Sequence, residues 1–156
     1  MAERKLGVVV RNYRKAVFWR KHHCKLLSIM FMEFNRVFNG CELPISVKLG
    51  DDVAFPHRGL GVVIHPDSEI GDGSSIYQNV TFGGKTGQEG APKVGKRCII
   101  GAGAVLLGDI TIGDNSIVAS NAVVLQDVPP NCVVGGVPAK ILKENINRDD
   151  YNWKGR

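Results

Sequence analysis

"VGKRCIIGAGAVLLGDITIGDNSIVASNAVVL", residues 94–125, repeats every six residues. Aliphatic side chains stand at Val94, Ile100, Leu106, Ile112, Val118 and Val124. The same phase runs back through Phe82, Ile76, Ile70 and Ile64. Four places after these positions come small or β-branched residues: Ser68, Ser74, Val80, Cys98, Ala104, Ile110, Ser116, Ala122 and Val128. Turn-forming residues follow Ile70, Ile100 and Ile112, in "IGDGSS", "IGAGAV" and "IGDNSI". An amphipathic helix repeats near 3.6 and a half-buried strand at 2. Six residues make one short strand and a turn, so three such units close a triangular coil. Each coil buries its aliphatics only against the coils above and below it. The pattern predicts a mainly β chain built as a parallel β-helix.

One interruption keeps the phase but not the composition. Between Phe82 and Val94, "GGKTGQEGAPK" (83–93) has Gln88 where an aliphatic is due and four glycines nearby. Residues 84–93 are expected to leave the coil as an extruded loop, the kind of break where binding residues concentrate.

Working outward, the chain divides into a helical segment (1–40), the β-helix (41–142) and a tail (143–156). From Val8 to Phe38 there is no Gly or Pro, and "CKLLSIMFMEFNRVF" (24–38) is rich in Leu, Met and Phe. One helical stretch is expected, stopped near Gly40. Its apolar side is expected to pack on the rest of the protein or on a neighbouring subunit. The alternative is peripheral contact with an anionic membrane through residues 1–25.

The net charge of +5 is concentrated there. Residues 1–25 hold eight Lys/Arg against Glu3 alone, and the remainder sits at −2. A basic end on a mildly acidic body does not suit nucleic-acid binding, which needs a basic surface shaped for phosphates. Cys24, Cys41, Cys98 and Cys132 follow no disulfide or CxxC spacing, which suggests reduced thiols in a cytoplasmic setting, with the inner membrane face as the site of any membrane contact. Neither these cysteines nor the histidines have metal-ligand spacing.

"SIYQNVTFGG" (75–84) and "IIGAGAVLLGDITIGDNSIVASNAVVLQDVPPNCVVGGVPAKIL" (99–142) resemble the hexapeptide acyltransferases. Within them the chain looks most like the serine acetyltransferase branch. That branch carries an acidic residue, a histidine fifteen positions later, a Gly-Ile/Val-Val segment and a Gln-x-Val-Thr-x-Gly-Gly stretch. Here these are Glu42, His57, "GLGVVI" (59–64) and Gln78–Gly84. The resemblance implies a left-handed coil, acetyl-CoA as acyl donor and a homotrimer with active sites between adjacent β-helices.

It also implies roles for individual residues. His57, which lies off the six-residue phase in "FPHRGLG" (55–61), would be the general base. Glu42 would orient its imidazole, as the acid does in a hydrolase triad. His65, in "IHPDSE" (64–69), reads instead as a turn residue beside Pro66. Gly84 is assigned to the oxyanion or to the pantetheine arm, because a glycine lets backbone N–H groups come close. Ala102 and Ser120, eighteen residues apart, would line the pantetheine groove, and Lys140 would approach the CoA phosphates.

The acceptor is where the chain departs from the branch. The acid is Glu42 rather than Asp, Pro56 precedes the histidine in place of Asp, and the loop lacks the Arg-His pair before Pro that grips the serine carboxylate. The expectation is therefore O-acetylation of a sugar hydroxyl in a polysaccharide or nucleotide-sugar pathway, with Arg58 and Lys85 as substrate-binding candidates. Serine O-acetylation, N-acetylation of an amino sugar and a non-catalytic β-helix scaffold are the alternatives.

Overall fold

The computed structural model describes residues 7–151. Two helices, α1 (Val8–Lys21) and α2 (Lys25–Phe38), precede thirteen short strands. These are β1 (Lys48–Leu49), β2 (Val63–Ile64), β3 (Glu69–Ile70), β4 (Ser75–Ile76), β5 (Thr81–Gly83), β6 (Lys93–Val94), β7 (Ile99–Ile100), β8 (Val105–Leu107), β9 (Thr111–Ile112), β10 (Ile117–Val118), β11 (Val123–Val124), β12 (Val133–Gly135) and β13 (Lys140–Lys143).

The strands form the three faces of a prism. The first face stacks β2, β5, β8 and β11; the second stacks β1, β3, β6 and β9; the third stacks β4, β7, β10 and β12. All these pairings are parallel, and β13 closes the third face by running antiparallel to β12. The ten phase residues from Ile64 to Val124 point into the prism, none more than 4% exposed. The nine small or β-branched residues four places on are buried too, filling the corners.

Corners between the second and third faces need a left-handed backbone. Asp52, Gly73, Arg97, Asn115 and Asn131 supply it, all with φ between 53° and 68°. Asn, Asp and Gly tolerate that region best, which accounts for the turn signals in the repeat. Buried serines tie the same corners across coils. Ser74 donates to the Gly95 carbonyl (2.8 Å) and accepts from the Cys98 amide (2.9 Å). Ser116 does the same with the Pro129 carbonyl (2.7 Å) and the Cys132 amide (3.1 Å).

The register locates two insertions. Ile64 lies opposite Phe82, one regular coil away, whereas Phe82 lies opposite Leu106 and Val94 opposite Ile112. The coil holding the extruded loop thus has six extra residues, and the loop between strands runs from 84 to 92. Below it, Glu42 bridges to Val63 and Ala54 to Ser75, so the lowest coil has three extra residues. Those extra residues form the short 3-10 turn Pro56–Gly59.

The helical segment differs from expectation in one respect: it is a hairpin, not one helix. His23 adopts φ 59°, and the chain reverses between Lys21 and Lys25. No Gly or Pro marks this break; packing does. Helix α1 lies across the open end of the lowest coil and buries Val9, Val10 and Tyr13 in the common core. Tyr13 donates its hydroxyl hydrogen to the Val47 carbonyl, and Arg14 pairs with Asp51 at 2.7 Å. Helix α2 is joined to α1 by Asn35, which is fully buried. Its side chain accepts from the Asn12 amide (3.0 Å) and the Asn39 amide (3.1 Å), and donates to the Val9 carbonyl (3.0 Å).

Candidate active site

The edge joining the third face to the first gathers most of the residues singled out in the sequence. At its base the Pro56–Gly59 turn puts His57 (φ 54°) and Arg58 (φ 59°) in consecutive left-handed conformations, and both side chains are exposed. Leu60, Gln78, Ala102 and Ser120 then climb the edge one coil at a time. The amide of Asn79 donates to Leu60, that of Gly103 to Gln78 and that of Asn121 to Ala102, at 2.8–2.9 Å. Lys140 sits near the top, where β13 pairs back on Gly135. Close packing along the edge is enforced at Gly101, where an added Cβ would come within 2.6 Å of the Ser120 amide nitrogen.

Glu42 belongs to the same corner. Its amide donates to the Val62 carbonyl (2.9 Å) and its carbonyl accepts from the Ile64 amide (3.0 Å), which places it at the start of the first face. The Gly61 amide donates to Gly40 (2.8 Å), and Gly59 lies against the Cys41 side chain. The histidine turn and the acid-bearing strand are thus packed directly on each other. Among the described residues no hydrogen bond joins the two side chains, and both face solvent. Beneath them burial pushes the Cys41 thiol up to about 12. The wall behind the site is therefore apolar and uncharged.

Gly84 and Lys85 are elsewhere. They follow β5, whereas His57 and Arg58 precede β2, and these two strands are parallel and in register on the first face. The two groups therefore occupy opposite edges of that face. At about 3.3 Å per residue along a strand the separation is on the order of 10–15 Å.

Gly84 and Lys85 instead line an open groove of about 630 Å³, together with His65, Asp67, Gln88 and Glu89. The loop folds back on the coil above. Lys93 pairs with Asp109 at 3.0 Å, and a Cβ added at Gly90 would strike the Asp109 side chain. His65 shapes the turn, as its sequence context suggests: its Nδ1 accepts from the Asp67 amide at 3.2 Å. That bond engages Nδ1 and leaves Nε2 on the side of Gly84, 3.7 Å from where a Cβ there would stand. Two of the groove's polar side chains carried no signal in the repeat: Glu89 lies in the extruded loop, which has no phase, and Asp67 occupies an ordinary turn position of the regular unit 64–69. Gln78 adds one further observation at the histidine edge: its Oε1 is buried without a hydrogen-bond partner among the described residues.

Residues 91–126 match the family described as "Bacterial transferase hexapeptide (six repeats)". The chain carries a hexapeptide-transferase β-helix of the serine acetyltransferase-like branch. It is 39% identical over 138 residues to the serine acetyltransferase of Mycobacterium tuberculosis, covering 87% of this chain and 60% of that protein. It is also similar to the structure of serine acetyltransferase from Brucella abortus strain S19 in complex with coenzyme A, with TM-score 0.80 and 31% identity. That match covers 86% of this chain and 54% of the other. The soybean serine acetyltransferase complexed with serine aligns with TM-score 0.76 and 32% identity, over 86% of this chain and 56% of that one. The hexapeptide-transferase chain thus spans little more than half the length of these relatives. Its coil is the left-handed β-helix of that branch, as the sequence resemblance implied.

Proposed function

We propose that the protein is an acetyl-CoA-dependent O-acetyltransferase with His57 as general base. The observation that carries this reading is the convergence of His57, Glu42, Ala102 and Ser120 on one edge of the prism. In the reaction the acceptor oxygen attacks the thioester carbonyl carbon while His57 takes the hydroxyl proton. The tetrahedral oxyanion collapses, the C–S bond breaks, and the imidazolium returns its proton to the leaving thiolate. A neutral imidazole suits this at physiological pH. Glu42 orients the ring and stabilises the imidazolium once its carboxylate swings onto the ring, a movement that two exposed neighbouring side chains can make. The backbone at Ala102 and Ser120 borders the pantetheine arm, and Lys140 offers a cation for the CoA phosphates.

Gly84 and Lys85 lie across the first face from His57, so within one chain they do not flank the atoms that His57 would act on. A neighbouring copy that packs this face restores them to the site, which supports a homotrimer.

L-Serine is the first acceptor to test. The names of the relatives support it better than the sugar hydroxyl anticipated from the sequence. A saccharide acceptor remains as a second reading on one specific observation. Where the branch has Arg-His before Pro, this chain has Gly90 and a buried Ala91 before Pro92, and Asp67 and Glu89 line the groove. Two carboxylates and one lysine receive hydroxyl groups better than they receive a carboxylate.

Thiol release from acetyl-CoA, measured with and without L-serine, tests the acceptor. His57→Ala should lower turnover by about 10²–10⁴-fold while CoA affinity is retained. Wild-type turnover in His57→Ala would refute the assigned base. Absence of saturable CoA binding would refute the enzyme reading altogether.

A further inference from the structure

Helix α2 has a face that nothing among the described residues covers. Leu26, Ile29, Met30, Phe34, Val37 and Phe38 are 43–78% exposed. Leu26, Met30, Phe34 and Val37 lie on the side of the helix opposite Ser28 and Asn35, which are buried against α1; Ile29 and Phe38 flank them, and Glu33 stands among them. The stripe runs the whole helix, roughly 20 Å at 1.5 Å per residue. Scattered apolar residues on a surface are ordinary, but a continuous stripe of this size marks a contact.

Charge identifies the partner. Between Val8 and Phe38 there are seven Lys/Arg and a single acid, Glu33, which is already paired with Arg36 at 3.0 Å. The cations border the apolar stripe. Lys15 of α1 lies over the Phe31 ring of α2 at 5.3 Å. Arg20, Lys21 and Lys25 surround the hairpin tip beside exposed Phe18 and Leu26. A second copy of this hairpin would bring cations against cations. An anionic lipid surface accepts both the apolar residues and the ring of positive charge.

We propose that the α1–α2 hairpin docks peripherally on anionic membrane, with the exposed face of α2 in the acyl–headgroup boundary. The surface differs from the basic N-terminal stretch alone: cations of α1 and the hairpin tip attract, and α2 inserts. Among the described residues no helix is long and apolar enough to cross a membrane, which leaves an interfacial position for this one. The inference does not depend on the proposed reaction, because the readout is binding.

The test is flotation of the full chain with vesicles of phosphatidylcholine alone or with one third phosphatidylglycerol. Binding is expected only to the anionic vesicles, and raising the salt from roughly 0.05 to 0.5 M should weaken it severalfold. Lys21→Gln with Lys25→Gln should reduce partitioning by about thirtyfold. Leu26→Ser with Val37→Ser, both at exposed positions, should abolish it while circular dichroism and the mass in solution stay unchanged. No binding to anionic vesicles at low salt would overturn the proposal, as would equal binding to neutral ones. A fall in solution mass in the serine double variant would also overturn it, because the stripe would then be a contact between copies.

Discussion

Replacing Asn35 by Ala should detach the helical cap from the β-helix. The Asn35 side chain makes three hydrogen bonds inside a fully buried space, two as acceptor and one as donor. Removing it leaves the Asn12 and Asn39 amides and the Val9 carbonyl without those partners. Asn12 and Asn39 are themselves only 7% and 6% exposed, so water cannot easily replace the loss. Each orphaned buried group costs about 1–3 kcal/mol. Partial relaxation around the small cavity brings the sum to about 3–5 kcal/mol, in the range that marks a broken buried network. The assay is urea unfolding at a fixed protomer concentration, because assembly contributes to stability. Hydrogen exchange read by mass spectrometry then locates the effect. Amides in α1 and α2 should exchange about a hundredfold faster or more, while those of the upper coils keep their protection. A loss below about 1 kcal/mol, or faster exchange spread evenly over the chain, would show that apolar packing on the lowest coil holds the cap and that the asparagine network is incidental.

The remaining predictions separate structural glycines from functional ones and reactive thiols from inert ones. At Gly84 an added Cβ meets only His65, at 3.7 Å, so Gly84→Ala should leave the melting temperature nearly unchanged; loss of acetyl-CoA turnover in that variant would support its assigned role, and full turnover would remove it from the site. At Gly101 the same methyl would meet backbone of the next coil at 2.6–2.9 Å, so Gly101→Ala should cost about 2–3 kcal/mol, checked by the same urea titration. Burial raises Cys41 to about 12 and Cys98 to about 11, so a thiol reagent at pH 8 should label half-buried Cys24 first and reach those two only after unfolding. Their folded values lie above the unfolded one near 9, so the unfolded chain binds fewer of these protons as the pH rises. Stability should fall between about pH 9 and 12, and Cys41→Ala should flatten that fall in alkaline denaturation.

What the sequence carried, and what it did not, follows from where each interaction is encoded. The coil was legible because its core is a one-dimensional pattern: each phase residue from Ile64 to Val124 meets its equivalent one coil away, so sequence spacing and spatial contact coincide. The extruded loop was legible for the same reason, as a failure of phase at Gln88. The break at His23 was not. Nothing local forces φ 59° there; the reversal is chosen by Asn35 reaching Val9 and Asn12, and by α1 covering the lowest coil, contacts set by tertiary packing alone. The site lies between these cases. His57 was conspicuous because it stands off the repeat, and the structure traces this to a three-residue insertion in a coil of otherwise regular length. The distance from His57 to Gly84 was invisible, since a period of six tells which face a residue joins but not which edge of that face it reaches. That missing coordinate is why the proposed site calls on a second copy. It is also why subunit mass and the activity of His57→Ala bear on one question: a trimer with inactive His57→Ala supports a shared site, and an active monomer would dissolve it.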